Sequence, residues 1–185
     1  MKKLFLTAAA IFAFGFANAQ ETKFGVKAGL NMADLGGDDA DGIDSKIGFH
    51  VGGFAEIKLS DKFAVQPELV YSTQGGKVDG GKYNFDYLNI PVMAKFYATE
   101  QFSIEAGPQI GFLMSAKVKP DSGDSVDVKD ELKSTDFGAN LGLGYNFTEN
   151  ISANLRYNLG LSNIIDADGA DVKNNVFSLS VGYKF

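Results

Sequence analysis

The chain has 185 residues, 45% of them apolar and 22% charged, with 22 Gly, 4 Pro, one His and neither Cys nor Trp. That length fits one domain, and the composition excludes disulfides, thiol chemistry and Cys- or His-rich metal sites. Lys and Arg number 17 against 23 Asp and Glu, a formal charge of −6. This argues against nucleic acid as a partner, because neutralising phosphates needs an excess of cations.

The first segment reads as an export leader. Lys2 and Lys3 precede an uncharged, mostly apolar run from Leu4 to Ala17, and Ala17-Asn18-Ala19 supplies the small-x-small cleavage signature. The run is short for a membrane-spanning helix of about 20 residues. The expectation is a signal peptide over 1–19 and a β-barrel domain over 20–185, whose formal charge falls from −6 to −8 once Lys2 and Lys3 are removed.

Beyond residue 20, period-two alternation recurs in eight segments. Phe24, Val26, Ala28 and Leu30 alternate with Gly25, Lys27, Gly29 and Asn31. Ile47, Phe49, Val51, Gly53, Ala55 and Ile57 oppose Gly48, His50, Gly52, Phe54, Glu56 and Lys58. Phe63, Val65, Leu69 and Tyr71 oppose Ala64, Gln66, Glu68 and Ser72. Leu88, Ile90, Val92, Ala94 and Phe96 oppose Asn89, Met93, Lys95 and Tyr97. The fifth segment sets Phe102, Ile104, Ala106, Ile110, Phe112 and Met114 against Ser103, Glu105, Gly107, Gln109, Gly111 and Ser115. The remaining three run over 136–147, 151–162 and 177–185, with Gly, Ser and Asn dominating the polar face.

Three connections are tight (59–62, 98–101 and 148–150) and four are longer and rich in Asp and Gly (about 32–45, 74–82, 117–134 and 163–173). Short turns alternating with long loops describe an up-and-down meander, the plan of a membrane barrel with short periplasmic turns and long extracellular loops. The apolar face is nearly free of charge, as lipid contact requires, whereas the small and amide side chains of the other face suit the narrow interior of an eight-stranded barrel. Phe63, Tyr97, Phe102, Tyr145, Phe147, Tyr183 and Phe185 cluster toward the short-turn ends, where an interfacial girdle belongs. The fold expected is therefore all-β, an eight-stranded antiparallel up-and-down transmembrane β-barrel. Pro67, Pro91 and Pro108 fall inside consecutive strands; because proline donates nothing to a ladder, bulges or breaks are expected there, with the register near Pro91 open by one residue.

Several pieces of the chain resemble the small outer-membrane β-barrel proteins of Bacteroidetes, the PorT-like or "porin family" proteins. They are Phe24-Gly-Val-Lys-Ala-Gly-Leu-Asn31, Gln66-Pro-Glu-Leu-Val-Tyr-Ser72, Leu88-Asn-Ile-Pro-Val-Met-Ala-Lys-Phe-Tyr97, Gly107-Pro-Gln-Ile-Gly-Phe-Leu113 and the closing segment from Phe177 to Phe185. The resemblance implies an outer-membrane location and prolines at these strand positions. The terminal Phe resembles the signal read by barrel-insertion machinery, which the resemblance makes a partner during assembly. It implies no particular biochemical activity, since fold does not fix function.

If the parity holds, Lys27, Glu56, Glu68, Lys95, Glu105 and Arg156 point inward, each within about five residues of the short-turn end. Three cations face three anions, and Arg156 is the only arginine in the chain. They are expected to form a salt-bridge layer that fixes register and blocks the lumen; an ion-conducting constriction is the alternative. His50 is the sole candidate for a catalytic base, and no nucleophile elbow accompanies it, so no enzyme activity and no cofactor are expected. The loops are acidic, with Asp38, Asp39, Asp41 and Asp44 in the first, Asp121, Asp124, Asp127, Asp130 and Glu131 in the third, and Asp166, Asp168 and Asp171 in the fourth. Asp166-Ala-Asp168-Gly169 echoes a calcium loop but lacks its twelfth-position Glu, since residue 177 is Phe. The expected role is structural or surface-interacting, in a monomer embedded among outer-membrane lipid and lipopolysaccharide. Both termini and the short turns would be periplasmic and the acidic loops extracellular. A narrow passive pore, a membrane-embedded enzyme using His50 and a secreted ligand-binding barrel are the alternatives.

Overall fold

The alternating segments fold as strands that close on themselves. The computed structural model describes residues 22–37, 40, 42–167, 169 and 171–185. The expected leader and cleavage site lie outside the described residues, as do Asp38, Asp39, Asp41 and Asp168. The strands are β1 (Thr22–Gly36), β2 (Asp44–Lys58), β3 (Phe63–Gln74), β4 (Gly76–Val78), β5 (Gly81–Tyr97), β6 (Phe102–Pro120), β7 (Val126–Asp127), β8 (Thr135–Asn146), β9 (Ile151–Gly160) and β10 (Lys173–Lys184). Strands β4 and β7 are short additions within loops. The other eight pair antiparallel in the ring β1-β2-β3-β5-β6-β8-β9-β10, and β1 closes it against β10. No helix among the described residues is long and apolar enough to cross a membrane.

The two faces separate as the alternation requires. Phe24, Val26, Leu30, Phe49, Leu69, Leu141, Leu155, Leu159, Leu179 and Val181 are exposed on the outer face, whereas Lys27, Asn31, Glu56, Glu68, Asn140, Asn154 and Arg156 are buried inside. Phe54 also points inward. A Cβ on Gly25 would overlap its ring and one on Gly182 would touch it, so these glycines make the room it fills.

The three tight turns share one device. In Leu59-Ser60-Asp61-Lys62-Phe63 the Ser60 hydroxyl accepts from the backbone N–H of Phe63 at 3.2 Å. Thr99 does the same for Phe102 at 3.0 Å and Thr148 for Ile151 at 3.0 Å. In each turn the residue before the hydroxyl residue donates its N–H to the carbonyl of the first residue of the next strand, at 2.8–2.9 Å. A hydroxyl that bonds its own turn backbone makes Ser and Thr natural turn residues.

The prolines interrupt ladders without shifting them. Each lacks a bond toward the preceding strand: β2–β3 pairing skips two positions at Pro67, β3–β5 two at Pro91 and β5–β6 two at Pro108, and pairing then resumes in the same register. The other side of each proline stays paired, with Val92, Gln109 and Ala139 respectively. The breaks expected at the prolines are thus present, and a bulge lies elsewhere. Register shifts by one between Asp86 and Tyr87, where Met114 of β6 is the extra residue. Beyond it the faces of β6 exchange parity, so Ser115, expected inward, pairs with outward Asp86, and buried Ala116 takes the inner position.

The segments read as the long loops 74–82 and 117–134 are partly strand. There β5 begins at Gly81 and β6 runs on to Pro120. Above the apolar belt the polarity of the faces inverts. Leu35, Phe85, Tyr87, Leu113, Ala116, Ile164 and Val172 form a buried apolar cluster, with Ile43, Tyr83, Val128, Leu132 and Ile165 packed against it. Packing in this cap removes the apolar side chains of the loop end from water.

Candidate functional site: the charged lumen

Glu68 of β3 is the centre of the lumen network. Its carboxylate accepts from both terminal nitrogens of Arg156 at 3.0 and 2.8 Å, from Lys27 Nζ at 3.0 Å and from Gln66 Nε2 at 2.8 Å. Strands β3 and β9 are four places apart in either direction round the ring, so the fork from Arg156 to Glu68 crosses the full lumen. The planar guanidinium is suited to this two-point grip, which sets direction as well as distance.

The network continues toward the short-turn end. Arg156 Nη2 also lies 3.3 Å from Glu105 Oε2, and Lys95 Nζ is 3.2 Å from Glu105 Oε1. Asn154 Nδ2 and Ser103 Oγ donate to that same Oε1 at 2.8 and 3.3 Å. Lys95 Nζ also donates to Glu56 Oε2 at 3.0 Å and to Gln66 Oε1 at 3.1 Å. Glu56 then accepts from Lys184 Nζ at 3.2 and 3.1 Å, and Lys184 further donates to Asn146 Oδ1 at 3.2 Å.

All six residues singled out in the sequence therefore stand in one connected cluster, with Lys184 as a seventh charged member. Lys184 was legible: it shares the inner parity of Ser180 and Gly182 in the closing strand. The seven comprise four cations and three carboxylates, all buried. Asp136 is a further buried carboxylate, separate from the cluster, bonded by Ser162 Oγ at 2.8 Å and Asn174 Nδ2 at 3.5 Å.

Toward the loop end the lining turns to amides and hydroxyls. Asn31 donates to Ser72 Oγ at 2.9 Å, Asn158 to Asn140 Oδ1 at 3.2 Å, and Asn140 to Gln109 Oε1 at 3.3 Å; Asn174 donates to Gln74. Most of these residues and Arg156 surround a cavity of about 40 Å³. His50 is buried there with Nδ1 2.8 Å from Asn31 Oδ1. Among the described residues its side chain bonds neither a carboxylate nor a hydroxyl. No group of three or more described Asp, Glu or His is arranged to hold a metal ion. At the short-turn end a wider vestibule of about 630 Å³ reaches Glu56, Tyr97, Asn146 and Lys184. Tyr97 thus lines the lumen and is not part of the outer aromatic girdle. That girdle is represented by Phe63 with Phe96, Tyr145 with Phe147 and Tyr183 with Phe185, ring centres 5.1, 5.1 and 5.6 Å apart.

A closed eight-stranded ring, apolar outside and polar within, is the form in which strands satisfy their backbone in lipid. Residues 17–166 match the family described as outer membrane protein beta-barrel domain, and the chain belongs to that family. It is an outer-membrane β-barrel protein. Similar solved structures include Neisserial surface protein A (NspA) from Neisseria, at 16% identity and TM-score 0.67 over 90% of this chain and 100% of that one. Ail, the attachment invasion locus protein of Yersinia pestis, was solved in complex with the heparin analogue sucrose octasulfate. It is 20% identical with TM-score 0.56, over 90% of this chain and 100% of that one. A major outer membrane protein from Thermus thermophilus is 13% identical, with TM-score 0.54, over 90% of this chain and 100% of that one. At these identities the likeness concerns the fold. No curated protein matches the chain in sequence.

Proposed function

We propose that this protein is a non-conducting barrel whose role is structural or surface-interacting: it anchors in the outer membrane and displays its long loops outside the cell. The observation that carries this reading is the Arg156–Glu68 fork across the lumen within the seven-charge network. A solute would have to part buried ion pairs and then pass the apolar cap formed around Phe85, Tyr87 and Ile164. An eight-stranded barrel leaves little lumen beyond what its side chains fill. The charge layer is thus assigned two structural tasks, holding register between opposite walls and blocking the axis.

The reading extends to export by a leader over 1–19, insertion of the remainder by the barrel-assembly machinery, and a monomer with periplasmic short turns. Within its family we place the chain with the PorT-like proteins of Bacteroidetes, on the ordered motifs around Pro67, Pro91 and Pro108. No catalytic role is assigned to His50. A narrow pore is the second reading, favoured by the polar vestibule and the central cavity, two spaces that a channel would join. Liposome swelling separates the two. Vesicles carrying the folded protein should swell in arabinose no faster than protein-free vesicles, and a protein-dependent rate would support the pore.

A further inference from the structure

The outer face above the apolar belt carries a row of cations. Lys77 of β4 stands opposite Lys82 of β5, and Lys82 stands opposite Lys119 of β6. Lys117 lies two residues nearer the belt, opposite Asn84. All four are exposed. On β5, Lys82 shares the outer parity of Leu88 and Ile90, while Tyr83 and Phe85 point into the apolar cluster.

Directly opposed like charges destabilise a sheet. A chain of net charge −6 nonetheless concentrates four lysines on three adjoining strands. Asp44 faces Lys77 and Asp127 faces Lys117 across the ladder, yet among the described residues no ion pair joins any of the four lysines to a carboxylate. Asp86 lies between belt and row, and Asp79 and Asp121 lie beyond the row at the tips. On this face the four lysines therefore outnumber the two acids level with them, Asp44 and Asp127. Inner-face packing of Tyr83, Phe85, Ala116 and Val128 holds these strands in place.

The height of the row decides what it can meet. Lys82 is six residues past Leu88, which at roughly 3.3 Å per residue and a tilt near 45° is about 14 Å above the belt. Lys117, opposite Asn84 and so level with a residue four past Leu88, is about 9 Å above it by the same measure. An ordinary headgroup zone reaches only about 5–8 Å beyond the hydrocarbon, so these lysines stand at the level of a larger, sugar-bearing headgroup. A ligand that touches lysines and belt together must be an amphiphile with an anionic head.

We propose that Lys77, Lys82, Lys117 and Lys119 form a docking surface for the phosphorylated headgroup of an outer-leaflet glycolipid. This rests on the reading that the long-loop end faces outward.

The test uses the mature barrel folded in a neutral detergent, with folding checked by unheated gel mobility. Fluorescent diphosphorylated lipid A is titrated and followed by anisotropy. A lysine near an anionic lipid surface is worth about fivefold in binding, so Lys82→Gln with Lys119→Gln should weaken affinity about 25-fold. Added salt should weaken the wild type, since exposed charges are screened. The dephosphorylated glycolipid should not bind, and millimolar inorganic phosphate should not displace the probe. Retained affinity in the double variant, equal binding of the dephosphorylated lipid, or displacement by phosphate would each overturn the proposal. Orientation is read separately by maleimide labelling of intact cells carrying Ser122→Cys or Glu149→Cys. Labelling at 122 alone supports the outward loops. Labelling at 149 alone would overturn that orientation, and the docking proposal with it, whereas unchanged lipid binding with label at 122 would overturn the docking surface alone.

Discussion

Replacing Glu68 by Gln keeps the size of the side chain and removes its charge. Among the described residues Glu68 is the only carboxylate within ion-pair reach of Lys27, and it takes two of the bonds of Arg156. Without it Lys27 is left with no counter-ion, and Arg156 keeps only Glu105 at 3.3 Å. The cluster changes from four cations against three carboxylates, a formal +1, to four against two, a formal +2. Removing one partner of a buried pair costs about 3–5 kcal/mol. Because Arg156 retains a carboxylate and Lys27 borders the polar cavity, we expect about 3 kcal/mol, the lower end of that range. Adding Lys27→Met removes the stranded cation and should recover roughly 1 kcal/mol or more, as contacting residues couple. The chain has no Trp, so urea-dependent folding in lipid vesicles is followed by the mobility difference of unheated samples. A Glu68→Gln barrel within about 0.5 kcal/mol of wild type, below the range for breaking a buried pair, would show that Glu68 does not hold Lys27 and Arg156 in place, as would a double variant no more stable than the single.

Other expectations follow from single contacts. Thr148→Val removes the hydroxyl that accepts from Ile151 and Asn150 and should cost about 1 kcal/mol in the same unfolding assay. Gly29→Ala places a Cβ on the carbonyl oxygen of Leu179, whereas at Gly53 the nearest atom is 3.6 Å away; the first variant should fail to reach the folded gel position and Gly53→Ala should reach it. Ile164→Ala removes a side chain 1% exposed in the cap. It should cost about 2–5 kcal/mol, seen as faster protease cutting between 161 and 172. Leu155→Arg puts a charge on the outer face between Leu143 and Leu179. It should cost about 2–4 kcal/mol if that face meets the bilayer midplane, and close to nothing in folding assays if the face meets water.

The eight barrel strands and their faces were legible because one physical contrast, lipid outside and packed polar groups inside, repeats along each of them. The long-loop ends were not, because the contrast reverses there. In Lys82-Tyr83-Asn84-Phe85 and Ala116-Lys117-Val118-Lys119 the outward residues are polar and the inward ones apolar. A search for charge-free outer faces reads such stretches as loop. Loop side chains such as Ile164 and Val172 complete the apolar cap, although their acidic surroundings read as solvated loop. No local signal announces that closure, since its partners come from distant strands.

At the prolines the sequence was legible in part. Their missing donors were legible, and a pairing gap does appear beside each of Pro67, Pro91 and Pro108. Continuous pairing on the other side of each strand keeps the register, which a single strand's sequence does not show. The real shift, at Met114, has no proline or glycine to mark it. Lumen parity gave the charged residues, but the choice of partners depends on ring geometry, as in the Arg156–Glu68 span of 88 residues.

The plug proposed for the lumen, ion pairs at one level and apolar side chains above them, should carry no current. Planar-bilayer recording of the folded, heat-modifiable protein reads this. The baseline should stay free of protein-dependent current steps in molar salt. Reproducible unitary steps whose size changes in the Arg156→Ala variant would contradict it, and would make the network a constriction instead of a plug.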